Sequence, residues 1–341
     1  MSLLTNIEKP WSLWHQRLHK DLKRKKNLLP AGSSLLISVS GGQDSMALLQ
    51  LILDLQRLYK WKIHVWHGDH GWHKKSKLIA DELEQWCKNK NIPFSLTSTE
   101  KNKVCTEKDA REWRYENLIK EAKKLSKKNP DKPFKYVLTG HTGTDRAETF
   151  LINLARGSYL GGLSSLREKR ILQHDIHLIR PMLGFSRKET IQICNEMNLP
   201  IWIDPSNLNL LFTRNKIREK VLPVLEKLHN GSTMRIAKLA DSLSNLQSDQ
   251  YHLTKLAIQS ISIDEGISRE SMKNLPKTVR AIIFHQWFKD NDLTPPSSAQ
   301  LNELSHKIEQ HKPPGSIDLS KGWKVKWDKK VITLIKPSTE Q

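Results

Sequence analysis

Cysteine is scarce in this chain of 341 residues: Cys87, Cys105 and Cys194 are the only three. They are widely spaced and form no C-x-x-C pair, which argues against a disulfide framework, a zinc ribbon and an iron–sulfur cluster. Ordinary packing is expected of each. Long hydrophobic runs are also missing. No apolar stretch approaches the ~20 residues needed to cross a bilayer, so no membrane association is expected. The first residues include Glu8 and Asp21 and lack a continuous apolar segment, so neither a secretory nor a transit signal is expected, and the expected location is cytoplasmic. Acidic residues are in short supply too. Asp and Glu number 36 against 56 Lys and Arg, a formal net charge of +20. Such an excess favours a polyanionic partner such as nucleic acid, the plainer reading being a lysine-rich solvated surface.

Hydrophobic residues make up 37% of the chain and recur along nearly all of it, so packed cores are expected. At roughly 150 residues per domain, the length suggests two domains or one with an appendage. The first two-thirds alternate short apolar runs with helix-spaced segments. Ser34–Ser40, Lys62–Trp66, Phe94–Thr97, Lys135–Thr139 and His177–Ile179 read as strands. Ser45–Leu58, Lys77–Lys90, Lys108–Leu125, Asp145–Leu154 and Arg187–Met197 read as helices. This alternation predicts an α/β fold with a parallel sheet covered on both faces. Ligands of such sheets bind beyond the C-terminal strand ends. Helical spacing then dominates, with Pro223 inside or breaking a helix over Arg214–His229. A hairpin is predicted where Trp323, Val325 and Trp327 alternate with lysines before Val331–Ile335. The expected organisation is a catalytic domain over 1–220, a smaller, mainly helical domain over 221–312 and a short β tail over 313–341.

The sharpest local feature is Ser40-Gly41-Gly42-Gln43-Asp44-Ser45, between a buried strand and a helix. Two glycines let the backbone approach a ligand closely. The helix start offers N–H groups and the positive end of its dipole, and the serines add hydroxyls, all suited to an anion such as pyrophosphate. Asp44 is the informative exception, because a carboxylate beside phosphates repels them unless it holds Mg²⁺. There is no G-x-x-x-x-G-K-[ST] and no G-x-G-x-x-G. A tight turn with Asp44 as a helix cap is the structural alternative. The histidines His64, His67, His70 and His73 do not make a convincing zinc site, since no cysteine or acid cluster completes one.

SGGQDS after an apolar strand resembles the PP-loop of the N-type ATP pyrophosphatases, which cleave ATP between the α and β phosphates to adenylate a carbonyl oxygen. Four further segments resemble the lysidine synthetases among them. Asp69-His70-Gly71-Trp72-His73 is similar to the family's D-H-G-L-R segment, with Trp72 and His73 departing. Ala110-Arg111-Glu112-Trp113-Arg114-Tyr115 is similar to A-R-x-x-R-Y, whose two arginines share one helix face. Gly140 through Thr149 resembles G-H-x-x-D-D-Q-x-E-T; Asp145, Glu148 and Thr149 match, while Thr144 and Arg146 depart. Arg156-Gly157-Ser158 and Gly162-Leu163 continue the family's next loop, with Tyr159 in place of a glycine. Most diagnostic are Ile179-Arg180-Pro181, Asp204-Pro205-Ser206-Asn207, Phe212-Thr213-Arg214-Asn215-Lys216-Ile217-Arg218 and Leu222-Pro223, in the family's order and spacing.

The resemblance implies ligation of L-lysine to C2 of the wobble cytidine in a tRNA(Ile) precursor, with ATP and Mg²⁺ required. It implies that ATP binds Ser40, Gly41, Gly42, Gln43, Asp44, Ser45, His70 and Gly140. Asp44 and Asp145 would be the metal ligands and catalytic pair. Substrate contacts would come from Arg111, Arg114, Glu148, Arg156, Asp204, Asn207, Arg214 and Arg218, with Asp204 or Glu148 a candidate to receive an ammonium of lysine. Trp323, Trp327 and the C-terminal lysines would grip the tRNA body, core packing being the alternative for the tryptophans. A homodimer is left open. The competing enzyme reading is a tRNA thiolase of the 2-thiocytidine type, which needs reactive cysteines, usually C-x-x-C.

Overall fold

The computed structural model describes residues 11–71, 76–99, 106–158, 160–164, 166–202, 212–263, 266–309 and 313–336. The chain separates into two compact units, Met1–Ser244 and Asn245–Gln341.

The first unit runs α1 (Leu13–Arg24), β1 (Ser34–Ser38), α2 (Gln43–Tyr59), β2 (Lys62–Asp69), α3 (Ser76–Asn89), β3 (Phe94–Ser98), α4 (Glu107–Lys128), β4 (Tyr136–Thr139), α5 (Gly143–Ala155), α6 (Leu160–Leu163), β5 (Lys169–Gln173), β6 (Ile176–Ile179), α7 (Arg187–Glu196), α8 (Thr213–Lys216) and α9 (Leu222–Leu228). The long α10 (Ser232–Ile261) begins in this unit. The sheet order is β3-β2-β1-β4-β6-β5, parallel except for β5, which pairs antiparallel with β6. The expected α/β parallel sheet is therefore present.

Strand alternation builds both faces. Leu35 and Ile37 of β1 join Val65, Leu138 and Ile179 in one core with the apolar sides of α1, α2 and α7. Leu36 points the other way, with Trp66, Val137 and Leu178, onto Leu118 and Ala122 of α4. Each fully buried leucine of this kind contributes about 1.5–3 kcal/mol of transfer free energy. Strand order reverses between β1 and β4, so their C-terminal ends open a crevice at a topological switch point.

Among the elements that went unread in the sequence are β5 and α1. The edge strand β5 keeps four of its five side chains exposed, so it carries no apolar run to betray it. Helix α1 buries only His15, Leu18 and Leu22. Pro223 lies in the first turn of α9, where its missing N–H costs no helical hydrogen bond. The preceding Ile217–Val221 forms a π-type turn.

The second unit holds β7 (Ser262–Ile263), β8 (Gly266–Ser268), α11 (Arg269–Lys273), α12 (Lys277–Asp290), α13 (Ser298–Lys307), β9 (Gly315–Asp318), β10 (Lys324–Trp327) and β11 (Val331–Ile335). Its sheet is antiparallel, in the order β7-β8-β11-β10-β9. The divisions expected at 220 and 312 fall elsewhere here. The tail strands pair with β8 and share one core with Phe284, Phe288 and Leu304, so they form part of the same unit. Trp327 is buried in that core and donates to the Pro313 carbonyl (3.0 Å), and Trp323 packs half-buried against it. Core packing, rather than a grip on RNA, is thus the role their surroundings give these two rings.

Candidate active site

The glycine turn sits at the switch point. Gly41 has φ +84°, and a side chain there would press on Trp202 at 3.2 Å. Gly42 is the N-cap of α2 and, having no side chain, leaves the helix start uncapped. Ser45 Oγ donates to the Gly42 carbonyl (2.8 Å) and accepts from the Ser40 amide (3.2 Å), closing the turn on itself. Gly140, at the end of β4, lies against this bend. A Cβ there would come within 2.8 Å of the backbone of Asp44 and Ser45.

A cavity of about 360 Å³ opens above the turn. Of the residues expected to bind ATP, Ser40, Gly42, Asp44, Ser45, His70 and Gly140 line it. Gln43 turns away and donates to the Arg187 carbonyl (2.7 Å) and Thr190 Oγ1 (3.1 Å), fastening α2 to α7.

Asp44 and Asp145 both face the cavity. Asp145 is the third helical residue of α5 and accepts from the Thr142 amide (2.8 Å) and hydroxyl (2.9 Å), a capping box. The helix-cap explanation and the cavity position therefore both hold for it. Burial pushes the Asp44 carboxyl up to about 6, Arg187 opposes the shift, and the charge of Asp145 adds to it. Burial acts the same way on Asp145 but is outweighed by His141, Arg214, the Thr142 amide and Arg218, which hold that carboxyl below its ordinary range. Two mutually repelling carboxylates at a phosphate-sized turn are a donor set that suits a divalent cation. Among the described residues no group of three or more His, Cys, Asp or Glu side chains could hold a metal. An ion here would rest on Asp44, Asp145 and phosphate oxygens, the coordination Mg²⁺ favours.

Glu148 is fully buried and does not line the cavity. Arg218 grips it with Nε (2.6 Å) and Nη2 (3.0 Å), and Arg214 Nε lies 3.4 Å away. Both guanidiniums line the cavity. Burial, then the charge of Asp145, pushes the Glu148 carboxyl up to about 7 against the pull of Arg218. Its position suits it to fix two arginines; its carboxylate is enclosed and taken.

Arg111 and Arg114 of α4 line the opposite wall, Arg114 3.3 Å from His70 Nε2 and Arg111 over the Tyr115 ring. Arg156 lies in a second cavity of about 330 Å³, whose walls share Phe212 and Arg214 with the first. Asp204, Asn207, Trp72, His73, Cys105 and Tyr159 lie outside the described residues.

Sequence reading missed Arg187, Thr190 and His141. Arg187 Nη1 lies 3.0 Å from Asp44 Oδ2, and Thr190 donates to Asp44 Oδ1 at 2.5 Å. Burial lowers the His141 pKa, the charge of Asp145 opposing it, and the ring lines the cavity with Nδ1 2.8 Å from Thr139 Oγ1. His141 stood inside a quoted motif, whereas nothing around Arg187 signals more than a helix start.

The family model of a PP-loop domain matches residues 15–225, and that of the TilS substrate binding domain matches residues 268–330. The chain is 60% identical over 335 residues to the tRNA(Ile)-lysidine synthase of Prochlorococcus marinus strain SARG, covering 98% of this chain and 100% of that protein. It belongs to the tRNA(Ile)-lysidine synthase family. The tRNA(Ile)-lysidine synthase of Prochlorococcus marinus strain NATL1A is 47% identical, over 93% of this chain and 98% of that one. The U34-tRNA thiolase NcsA from Methanococcus maripaludis shares the fold at 15% identity, with a TM-score of 0.53 over 68% of this chain and 79% of that one. As a tRNA(Ile)-lysidine synthase family member, the chain is an ATP-dependent enzyme of tRNA modification. The thiolase reading is not favoured. Cys87 and Cys194 are buried, and burial pushes both thiols up to about 12, the wrong direction for a reactive thiolate. Among the described residues no helix is long and apolar enough to cross a membrane.

Proposed function

We propose that this chain joins L-lysine to C2 of the wobble cytidine in tRNA(Ile) bearing a CAU anticodon, consuming ATP and releasing AMP and pyrophosphate, in the cytoplasm. The observation that carries the reading is the cavity itself. A serine–glycine bend suited to phosphates, two carboxylates and five arginines meet at the sheet's switch point in a chain homologous to lysidine synthases over its whole length.

The cytosine C2 carbonyl is a poor electrophile with a poor leaving oxygen. Attack of O2 on the α-phosphorus forms the O2–P bond, and the bridging oxygen leaves with its electron pair in pyrophosphate. The lysine amine then adds to C2, loses a proton, and AMP departs with the former O2. The turn and the α2 amides orient the phosphates, and Ser40 and Ser45 supply hydroxyls. Asp44 and Asp145 would hold Mg²⁺, which supplies positive charge against the phosphate oxygens. Arg214 and Arg218, locked by Glu148, present fixed guanidiniums to developing negative charge without reorganisation. The target base leaves its stack to reach this cavity, as RNA bases read by proteins commonly do.

The test is incubation with a CAU tRNA(Ile) transcript, ATP and each labelled amino acid in turn. Only lysine label should enter the RNA, with one pyrophosphate released per lysine. Asp44→Asn should abolish product while leaving the circular dichroism spectrum unchanged. Label from another amino acid, or none, rejects the reading.

A further inference from the structure

The contact between Arg187 and Asp44 has no place in the scheme above. Arg187 is the first residue of α7, and its backbone is pinned on two sides. Its amide donates to Thr144 Oγ1 (3.0 Å), and its carbonyl accepts from Gln43 Nε2 (2.7 Å). The head group, by contrast, reaches into the cavity and pairs with Asp44, with about a third of the side chain accessible. Its anchor is Thr144, one of the positions where this chain departs from the family motif.

The other cavity arginines have different partners. Arg214 and Arg218 share the buried Glu148. Arg114 meets His70, and Arg111 lies over Tyr115. Arg187 alone among these is held by the carboxylate of the glycine turn's own helix, at the spot where a bound divalent cation would compete for it. A carboxylate can serve a guanidinium or a metal at that oxygen, and an arginine released beside phosphates has a bidentate partner at hand.

We propose that Arg187 is a charge-exchange residue for this reaction: it neutralises Asp44 in the nucleotide-free protein, gives Asp44 up when metal and ATP bind, and then holds the β and γ phosphates that leave as pyrophosphate. The pinned α7 start keeps its reach fixed throughout, so only the side chain turns. This deepens the proposed function, but it concerns only metal and pyrophosphate and needs neither tRNA nor lysine.

The exchange makes two predictions of opposite sign. In Arg187→Ala at pH 8, Mn²⁺ binding to nucleotide-free protein, read by electron paramagnetic resonance, should tighten several-fold because its competitor is gone. Pyrophosphate binding in the presence of Mg²⁺, read by calorimetry, should weaken about tenfold or more. Arg187→Gln repeats both readings should the alanine variant fail to fold. Loss of both affinities together would assign Arg187 a purely structural part, and two unchanged affinities would remove it from the site; either overturns the proposal. Because both readings omit RNA and lysine, a chain that failed to make lysidine could still pass this test.

Discussion

Glu148 and Arg218 are joined by two hydrogen bonds, 2.6 and 3.0 Å long, around a carboxylate with no exposure to solvent. The pair ties α5 to the turn before α9 and fixes one of the cavity's guanidiniums. Removing one partner of a buried ion pair leaves the other charge uncompensated, at a cost of about 3–5 kcal/mol. At pH 8, where the Glu148 carboxyl is ionised, Glu148→Ala should therefore lower the unfolding free energy of the first unit by that order, measured by chemical denaturation. It should also lower turnover beyond the loss explained by unfolding. A change below 1 kcal/mol, roughly the scale of an exposed pair, would mean that Arg218 holds its place without Glu148.

The same carboxyl gives a pH signature. Its folded-state value is raised from 4.5 to about 7, so the folded chain holds this proton more tightly than the unfolded chain does. The stability it contributes is full below pH 4.5 and is lost as pH rises through about 7. Asp44, raised from 3.8 to about 6, acts with the same sign over a lower window. Between pH 5 and 7, Glu148→Gln should show a flatter dependence of unfolding free energy on pH than the native chain. Equal slopes would place the Glu148 carboxyl in its ordinary range.

Gly140→Ala probes the close approach of β4 to the PP-loop bend. A methyl there meets backbone at 2.8 Å, which cannot yield as a flexible side chain would. Overpacking of this kind costs about 1–3 kcal/mol. Because the atoms displaced belong to Asp44 and Ser45, the expected result is at least about a tenfold rise in the Kd for a non-hydrolysable ATP analogue. Unchanged analogue affinity would mean the bend does not contact the nucleotide.

Much of this was legible in the sequence. The parallel sheet showed because its buried strands are continuous apolar runs. The glycine turn showed because its glycines, serines and aspartate have a chemistry in common. Contacts made across the fold did not show. Arg187 is one residue of an ordinary helix start, and only the packing of α7 on α2 brings it to Asp44. The departures from the family motif became intelligible only in three dimensions. Thr144 receives the Arg187 amide, and Arg146, buried in α5, pairs with Asp241 of α10 (2.8 Å). The tail strands read correctly as a hairpin, but their membership of the second unit depends on pairing with β8, some 60 residues earlier in the chain.

The formal charge of +20 predicts salt-sensitive binding of RNA. Each phosphate contact releases counterions, so affinity falls steeply as salt rises. Affinity for tRNA should drop by about tenfold or more over a fourfold increase in salt, measured by filter binding, while affinity for the ATP analogue changes far less. A flat response would show that the basic excess only solvates the surface.

The most direct test follows the oxygen atom. A CAU tRNA(Ile) carrying oxygen-18 at O2 of its wobble cytidine is reacted to completion with ATP and lysine, and the AMP released is weighed by mass spectrometry. Capture of the adenylyl group by that carbonyl oxygen predicts one oxygen-18 per AMP and none in the modified base. Unlabelled AMP, with oxygen-18 found in water or retained in the RNA, would contradict it.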